Sequence, residues 1–188
     1  MQNLFDEERL DSWLNHLRLK NKSENTVRAY RQRVLGFAAW FEETNGETLS
    51  PERVTPTDLR EYKAYLLTAK KRMPDTVNLS LIAIASWLKF HGQDVAMPHA
   101  VEQVRPAPQG LDRLEQRALM RTLERDGEER NIAIVTFMLD TGLRISEVAA
   151  LDVDDLTLNE RSGSVKVRKG KGGKFRTVSL NSDTRKAL

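Results

Sequence analysis

A change of period near Leu151 constrains this chain more than any other feature. Before it, apolar residues recur at intervals of three and four; after it, they alternate with polar ones. The first pattern belongs to helices with one buried face, the second to half-buried strands. The chain must therefore combine a long helical part with a short sheet. A stretch holding Pro98, Pro106, Pro108 and Gly110, with no clear period, divides the helical part again. The expected fold is mainly α: a four-helix bundle over residues 1–92, a linker over 93–110, and an incomplete α+β unit over 111–188 with a small antiparallel sheet.

Four helices are predicted in the first unit. Glu7 to Lys20 turns Leu10, Trp13, Leu14 and Leu17 to one side. Ser23 caps a second helix reaching about Thr44, with Val27, Tyr30, Val34, Phe37, Ala38 and Phe41 inward and Arg28, Arg31 and Arg33 opposite. Thr55 or Thr57 caps a third, which buries Leu59, Tyr62 and Leu66 and runs to about Lys71. Lys70-Lys71-Arg72 would then favour its dipole. Pro74 opens the fourth, with Val77, Leu81, Ile84, Ala85 and Leu88 inward, and Gly92 ends it.

In the second unit, Asp112 to Arg125, Glu129 to Asp140 and Ile145 to Leu151 read as helices. Ile132 to Leu139 is apolar enough for a buried one. Ser164 to Arg168 and Lys174 to Leu180 alternate as strands, joined by the glycine-rich Lys169-Gly170-Lys171-Gly172-Gly173. Asn181-Ser182-Asp183 looks like the cap of a further helix, so the chain reads as the N-terminal piece of something longer.

The net charge of +3 is unevenly spread: nine Lys/Arg against Asp183 alone follow from Arg161 onward, and the remainder is net acidic. Such clustering points to a polyanion partner. Cysteine is absent, which excludes disulfides, thiolate zinc sites and cysteine nucleophiles. His16, His91 and His99 lack metal-ligand spacing. No cofactor or metal is called for. No run is long enough to span a membrane and no signal peptide opens the chain, so a cytoplasmic location with no membrane partner is expected.

Arg144 follows the glycine break Thr141-Gly142-Leu143 at what should be a deeply packed helix end. Its charge needs an anion. Glu147, three residues on, fits as a structural partner, and a phosphate fits equally well. The hairpin lysines have a similar double reading, as solubilising charges or as an ammonium delivered to a phosphodiester. A guanidinium suits the nonbridging oxygens of a reacting phosphate, and an ammonium suits the leaving oxygen.

Thr141-Gly142-Leu143-Arg144-Ile145-Ser146-Glu147, then Asp154-Asp155-Leu156, then Gly170-Lys171-Gly172-Gly173-Lys174-Phe175-Arg176, resemble the tyrosine recombinase (phage integrase) family, its Xer-type branch most closely. Ser23-Glu24-Asn25-Thr26-Val27-Arg28-Ala29-Tyr30-Arg31 is similar to the start of the second helix in the family's SAM-like core-binding domain. The resemblance implies Arg144 as a catalytic arginine, Glu147 as its support and Lys171 as the general acid. It further implies double-stranded DNA gripped between bundle and catalytic domain, and recombinase protomers assembled as a homo- or hetero-tetramer. On that footing DNA contacts fall to Asn25, Thr26, Arg28 and Arg31, with Lys70, Arg72, Asn78, Lys89, Lys169, Lys174 and Arg176 beside them.

The family also uses an HxxR motif and a tyrosine nucleophile. Neither pattern is met: no histidine has Arg three residues later, and Tyr30, Tyr62 and Tyr65 all fall in the bundle. The chain is thus expected to bind DNA without cleaving it. The alternatives are a non-catalytic DNA-binding protein, a truncated regulator of a recombinase, or a helical protein in which Arg144 and Glu147 form a structural pair.

Overall fold

A computed structural model describes residues 6–103, 107, 109–168 and 175–188. It contains two compact units, Met1–Pro106 and Ala107–Leu188. Among the described residues no helix is long and apolar enough to cross a membrane.

The first unit is built from α1 (Glu7–Leu19), α2 (Glu24–Asn45), α3 (Pro56–Thr68) and α4 (Pro74–Phe90). The caps are the local reason these segments fold. Asp6 accepts the Arg9 N–H, Ser23 accepts the Thr26 N–H, and Thr55 exchanges hydrogen bonds with Asp58 in a capping box. Gly46, with φ at 70°, ends α2 in the left-handed conformation. The predicted stripes meet in one core, where Leu10, Trp13, Val27, Val34, Phe37, Leu59, Val77, Ile84 and Trp87 are all almost wholly buried. Each large side chain withdrawn from water in this way contributes roughly 1.5–3 kcal/mol.

Two features of this unit differ from the sequence expectation. α3 stops at Thr68, so Lys70-Lys71-Arg72 lies beyond the helix and not in its last turn. Lys71 takes φ of 47°, and the Arg72 N–H returns to the Leu66 carbonyl at 2.8 Å. The second difference concerns the stretch after Gly92. Val95, Met97 and Val101 pack against the bundle core. The Asn78 amide bonds both the N–H and the carbonyl of Val101, at 2.8 and 3.0 Å, and Lys63 donates to the His99 carbonyl at 2.8 Å. Residues 93–103 are a docked strap, because their apolar side chains and backbone groups find partners on the bundle.

The second unit holds α5 (Arg113–Asp126), α6 (Glu129–Thr141), α7 (Ile145–Val148), β1 (Leu156–Leu158), β2 (Gly163–Val167), β3 (Arg176–Ser179) and α8 (Ser182–Ala187). The three strands form an antiparallel sheet in the order β1-β2-β3, with Val165 opposite both Leu156 and Val178. Phe137, Leu143, Val165, Val167 and Leu180 make the core, flanked by Val148, Leu151, Leu156 and Val178. α6 is less covered than its composition predicts: only Phe137 is fully buried, and Leu139 is 43% exposed. α7 is also shorter than expected, ending at Val148.

Candidate functional site

The site grows from the end of α6. Gly142, with φ of 63°, turns the chain, and Leu143 anchors the turn in the core at 3% exposure. Arg144 then stands at the head of α7, and its side chain remains 58% exposed. The helix end is packed through Leu143, and the buried member of the charged pair is Glu147, whose side chain is only 3% exposed.

Glu147 accepts four hydrogen bonds. The Arg144 N–H reaches it at 2.9 Å and Arg144 Nη1 at 3.3 Å. Arg176, opening β3, grips both carboxylate oxygens, Nη1 to Oε1 at 2.9 Å and Nη2 to Oε2 at 2.8 Å. This fork-to-fork geometry is the strong form of an arginine–carboxylate pair. Arg176, expected among the DNA contacts, is thus the chief partner of Glu147. The Arg176 hydrogen bonds, then the Arg144 N–H, draw the Glu147 carboxyl from its ordinary 4.5 to about 2, against the opposing effect of burial. Arg144 contributes only the single longer side-chain bond, and most of its side chain is exposed.

A second lock of the same design lies at the other root of the hairpin. Asp155 is 2% exposed and accepts the Asp152 N–H at 3.0 Å and Arg168 Nε at 2.5 Å. Arg168 Nη1 also reaches Asp152, at 3.1 Å. The Asp152 N–H and Arg168 hold the Asp155 carboxyl below its ordinary range. Arg168 directly follows β2 and Arg176 opens β3, so the chain on each side of residues 169–174 is fastened to a buried carboxylate. Sequence reasoning missed this pair. Its signal was an arginine ending an alternating strand, with two aspartates three residues apart just ahead of β1.

Asp140 fixes the other flank. It accepts the Asn181 N–H at 3.3 Å, the Asn181 side-chain amide, and the fully buried Thr184 hydroxyl at 2.8 Å. The loop carrying Arg144 is thereby tied to the start of α8.

The other candidates divide. Lys169, Lys171 and Lys174 lie outside the described residues. Asn25, Arg28 and Arg31 are exposed on the first half of α2, spaced so that neighbours share a face. Thr26 is half-buried, its hydroxyl 2.9 Å from that of Ser23. Lys89 is exposed near the end of α4. Lys70 lies 5.4 Å from the centre of the Tyr65 ring, and Arg72 is exposed on the turn after α3. Both ends of the Asn78 amide are taken by Val101, so in this structure it holds the strap.

Residues 10–93 match the family model "Phage integrase, N-terminal SAM-like domain", and residues 109–188 match "Phage integrase family". The TnP I resolvase of Bacillus thuringiensis is 29% identical over 182 residues, covering 92% of this chain and 63% of that protein. Tyrosine recombinase XerA of Pyrococcus furiosus is 31% identical over 173 residues, covering 91% of this chain and 56% of the relative. Among solved structures, a XerH site-specific recombinase bound to a palindromic difH substrate superposes with a TM-score of 0.71 at 17% identity, over 97% of this chain and 60% of that one. The chain thus spans about 60% of the length of the relatives it matches. With phage integrase models matching both of its units in order, this chain belongs to the phage integrase family of tyrosine recombinases.

Proposed function

We propose that this chain grips duplex DNA and supplies the first catalytic groups of a site-specific recombinase. In this reading residues 1–92 are the core-binding domain and residues 111–188 part of the catalytic domain. Arg144 neutralises the nonbridging oxygens of the scissile phosphate, and Glu147 holds Arg144 in place. Lys171 protonates the departing 5′ oxygen as a tyrosine oxygen attacks phosphorus and forms the 3′-phosphotyrosine bond. The protein acts in the cytoplasm with other recombinase protomers, as a homo- or hetero-tetramer, and without a cofactor.

The observation that carries this reading is the unequal sharing of Glu147. Arg176 satisfies that carboxylate with two short bonds, which leaves the Arg144 side chain 58% exposed and largely available to another anion. A purely structural pair would place both partners' charge in each other's reach, as Arg176 and Glu147 do.

Binding to duplex DNA measured against salt tests the first half: several phosphate contacts predict a steep log–log slope, and a shallow one contradicts it. The second half is tested in a form that also carries the nucleophile. There Arg144→Lys should lower strand cleavage by about 10²–10³-fold with binding largely kept. A non-catalytic DNA-binding role, with Arg144 serving only as a phosphate anchor, is the second reading. Equal losses of binding and cleavage in that variant would support it.

A further inference from the structure

Both ends of the loop that carries Arg144 hang on one stretch of chain, residues 176–184. At one end Arg176, the first residue of β3, grips both carboxylate oxygens of Glu147. At the other, Asp140 in the last turn of α6 takes three hydrogen bonds from the start of α8. The Thr184 hydroxyl and the Asn181 N–H share Asp140 Oδ2, at 2.8 and 3.3 Å, and the Asn181 side-chain amide donates to Oδ1. Asn181 is also the cap of α8, its side-chain oxygen accepting the Thr184 N–H at 2.9 Å. Within the loop, the Thr141 hydroxyl donates to the Phe137 carbonyl at 2.6 Å and accepts the Leu143 N–H at 3.3 Å. Asp140 itself is exposed. An exposed carboxylate adds little to a core, yet all three of its bonds run to residues 41 or 44 positions away. Convergent long-range bonds of this kind fix where a loop lies more than how stable the fold is.

We infer that Asp140, Asn181 and Thr184 are positioning residues for Arg144, setting where its guanidinium meets a DNA phosphate. Glu147 fixes the Arg144 N–H and one side-chain nitrogen from the α7 side, and leaves the approach from α6 undefined. Asp140 supplies that second anchor, four residues before Arg144, and refers it to the same segment that holds Glu147. A displacement of about 1 Å at a reacting centre costs on the order of 100-fold in rate, so two anchors on one segment do what neither does alone. The inference rests on the reading of Arg144 above as a phosphate ligand and adds to it what holds that ligand in register.

The test uses the full chain, a mixed-sequence duplex titrated against salt, and melting temperatures on the same samples. Asp140→Asn keeps the side chain's size and turns one acceptor into a donor facing the Asn181 amide, which breaks the clasp. It also removes a negative charge, which by itself would tighten binding to a polyanion. Positioning predicts the opposite sign: duplex binding several-fold weaker at fixed salt, with a log–log slope lower by up to about one contact. Asp140→Asn combined with Asn181→Asp exchanges donor and acceptor, keeps the net charge and keeps a good cap on α8, so it should restore both values. With Arg144→Ala already in place, Asp140→Asn should cause no further loss. Should Asp140→Asn alone fail to fold, Thr184→Val, which deletes one bond without changing charge, takes its place in the comparison with Arg144→Ala. Parental or tighter binding by Asp140→Asn, a loss that persists without Arg144, or no recovery in the exchanged pair each overturns the inference. So does melting that falls and recovers while binding stays parental, which would make the clasp a tie for folding only. If Arg144→Ala binds as tightly and as steeply as the parent, the phosphate reading of Arg144 is what fails, and the positioning role falls with it.

Discussion

Arg176 holds Glu147 across 29 residues of chain through two parallel hydrogen bonds of 2.9 and 2.8 Å. The pair joins the start of β3 to α7, and it determines what Arg144 is free to do. Because Glu147 is already satisfied, the exposed Arg144 can approach a phosphate without stripping the buried carboxylate of its partner.

Removing the two arginines should therefore have unequal effects on folding. Arg176→Met leaves Glu147 buried with its chief partner gone, so melting of the second unit should fall clearly. Arg144→Ala keeps both the Arg176 fork and the Arg144 N–H bond, so its melting should stay near the parent's. Thermal denaturation followed by circular dichroism compares them, and equal losses would contradict the account.

Acid should weaken the second unit through the same carboxylate. Glu147 ionises at about 2 in the folded chain against an ordinary 4.5, so the folded state binds its proton less readily than the unfolded one. The resulting stability is fully present above 4.5 and is lost as pH falls toward about 2. Glu147→Gln should flatten this part of a melting-temperature-against-pH profile, and an unchanged profile would assign the acid loss elsewhere.

The strap over residues 93–103 should depend on Asn78. Asn78→Ala removes both bonds to Val101, a change worth about 1–3 kcal/mol, and should release the segment without unfolding the bundle. Hydrogen exchange at Val101 should quicken while exchange in α1 and α2 stays slow. Unchanged protection at Val101 would show that Val95 and Met97 hold the strap unaided.

Much of this fold was legible in the sequence because its signals are local. The bundle stripes through Trp13, Phe37 and Leu88, the caps Ser23 and Thr55, and the inward Val165 and Val167 all follow from period and capping chemistry. Arg144 and Glu147 were also found, since their spacing of three residues is local. What escaped was long-range. Nothing in the period of β3 says that Arg176 faces Glu147, nor in that of β2 that Arg168 faces Asp155, because side-chain pairing between elements depends on register. Docking of the stretch after Gly92 was hidden for the same reason: the prolines around Pro98 say how the backbone bends, whereas docking came from Asn78 on another helix.

The bundle's exposed arginines should act on DNA and not on folding. Arg28→Ala and Arg31→Ala alter solvent-facing positions of α2, so stability should move by no more than about 0.5 kcal/mol. Each should lower the salt slope of duplex binding by about one. Filter binding at graded salt measures this, and slopes matching the parent would remove α2 from the interface.

The central claim is that Arg144 is held for a DNA phosphate and not for Glu147. Duplex binding of Arg144→Ala against salt, with its melting temperature measured on the same sample, tests this most directly. The account predicts near-parental melting and a log–log slope lower by about one phosphate contact. A marked drop in melting with an unchanged slope would show that Arg144 serves the fold, and would contradict it.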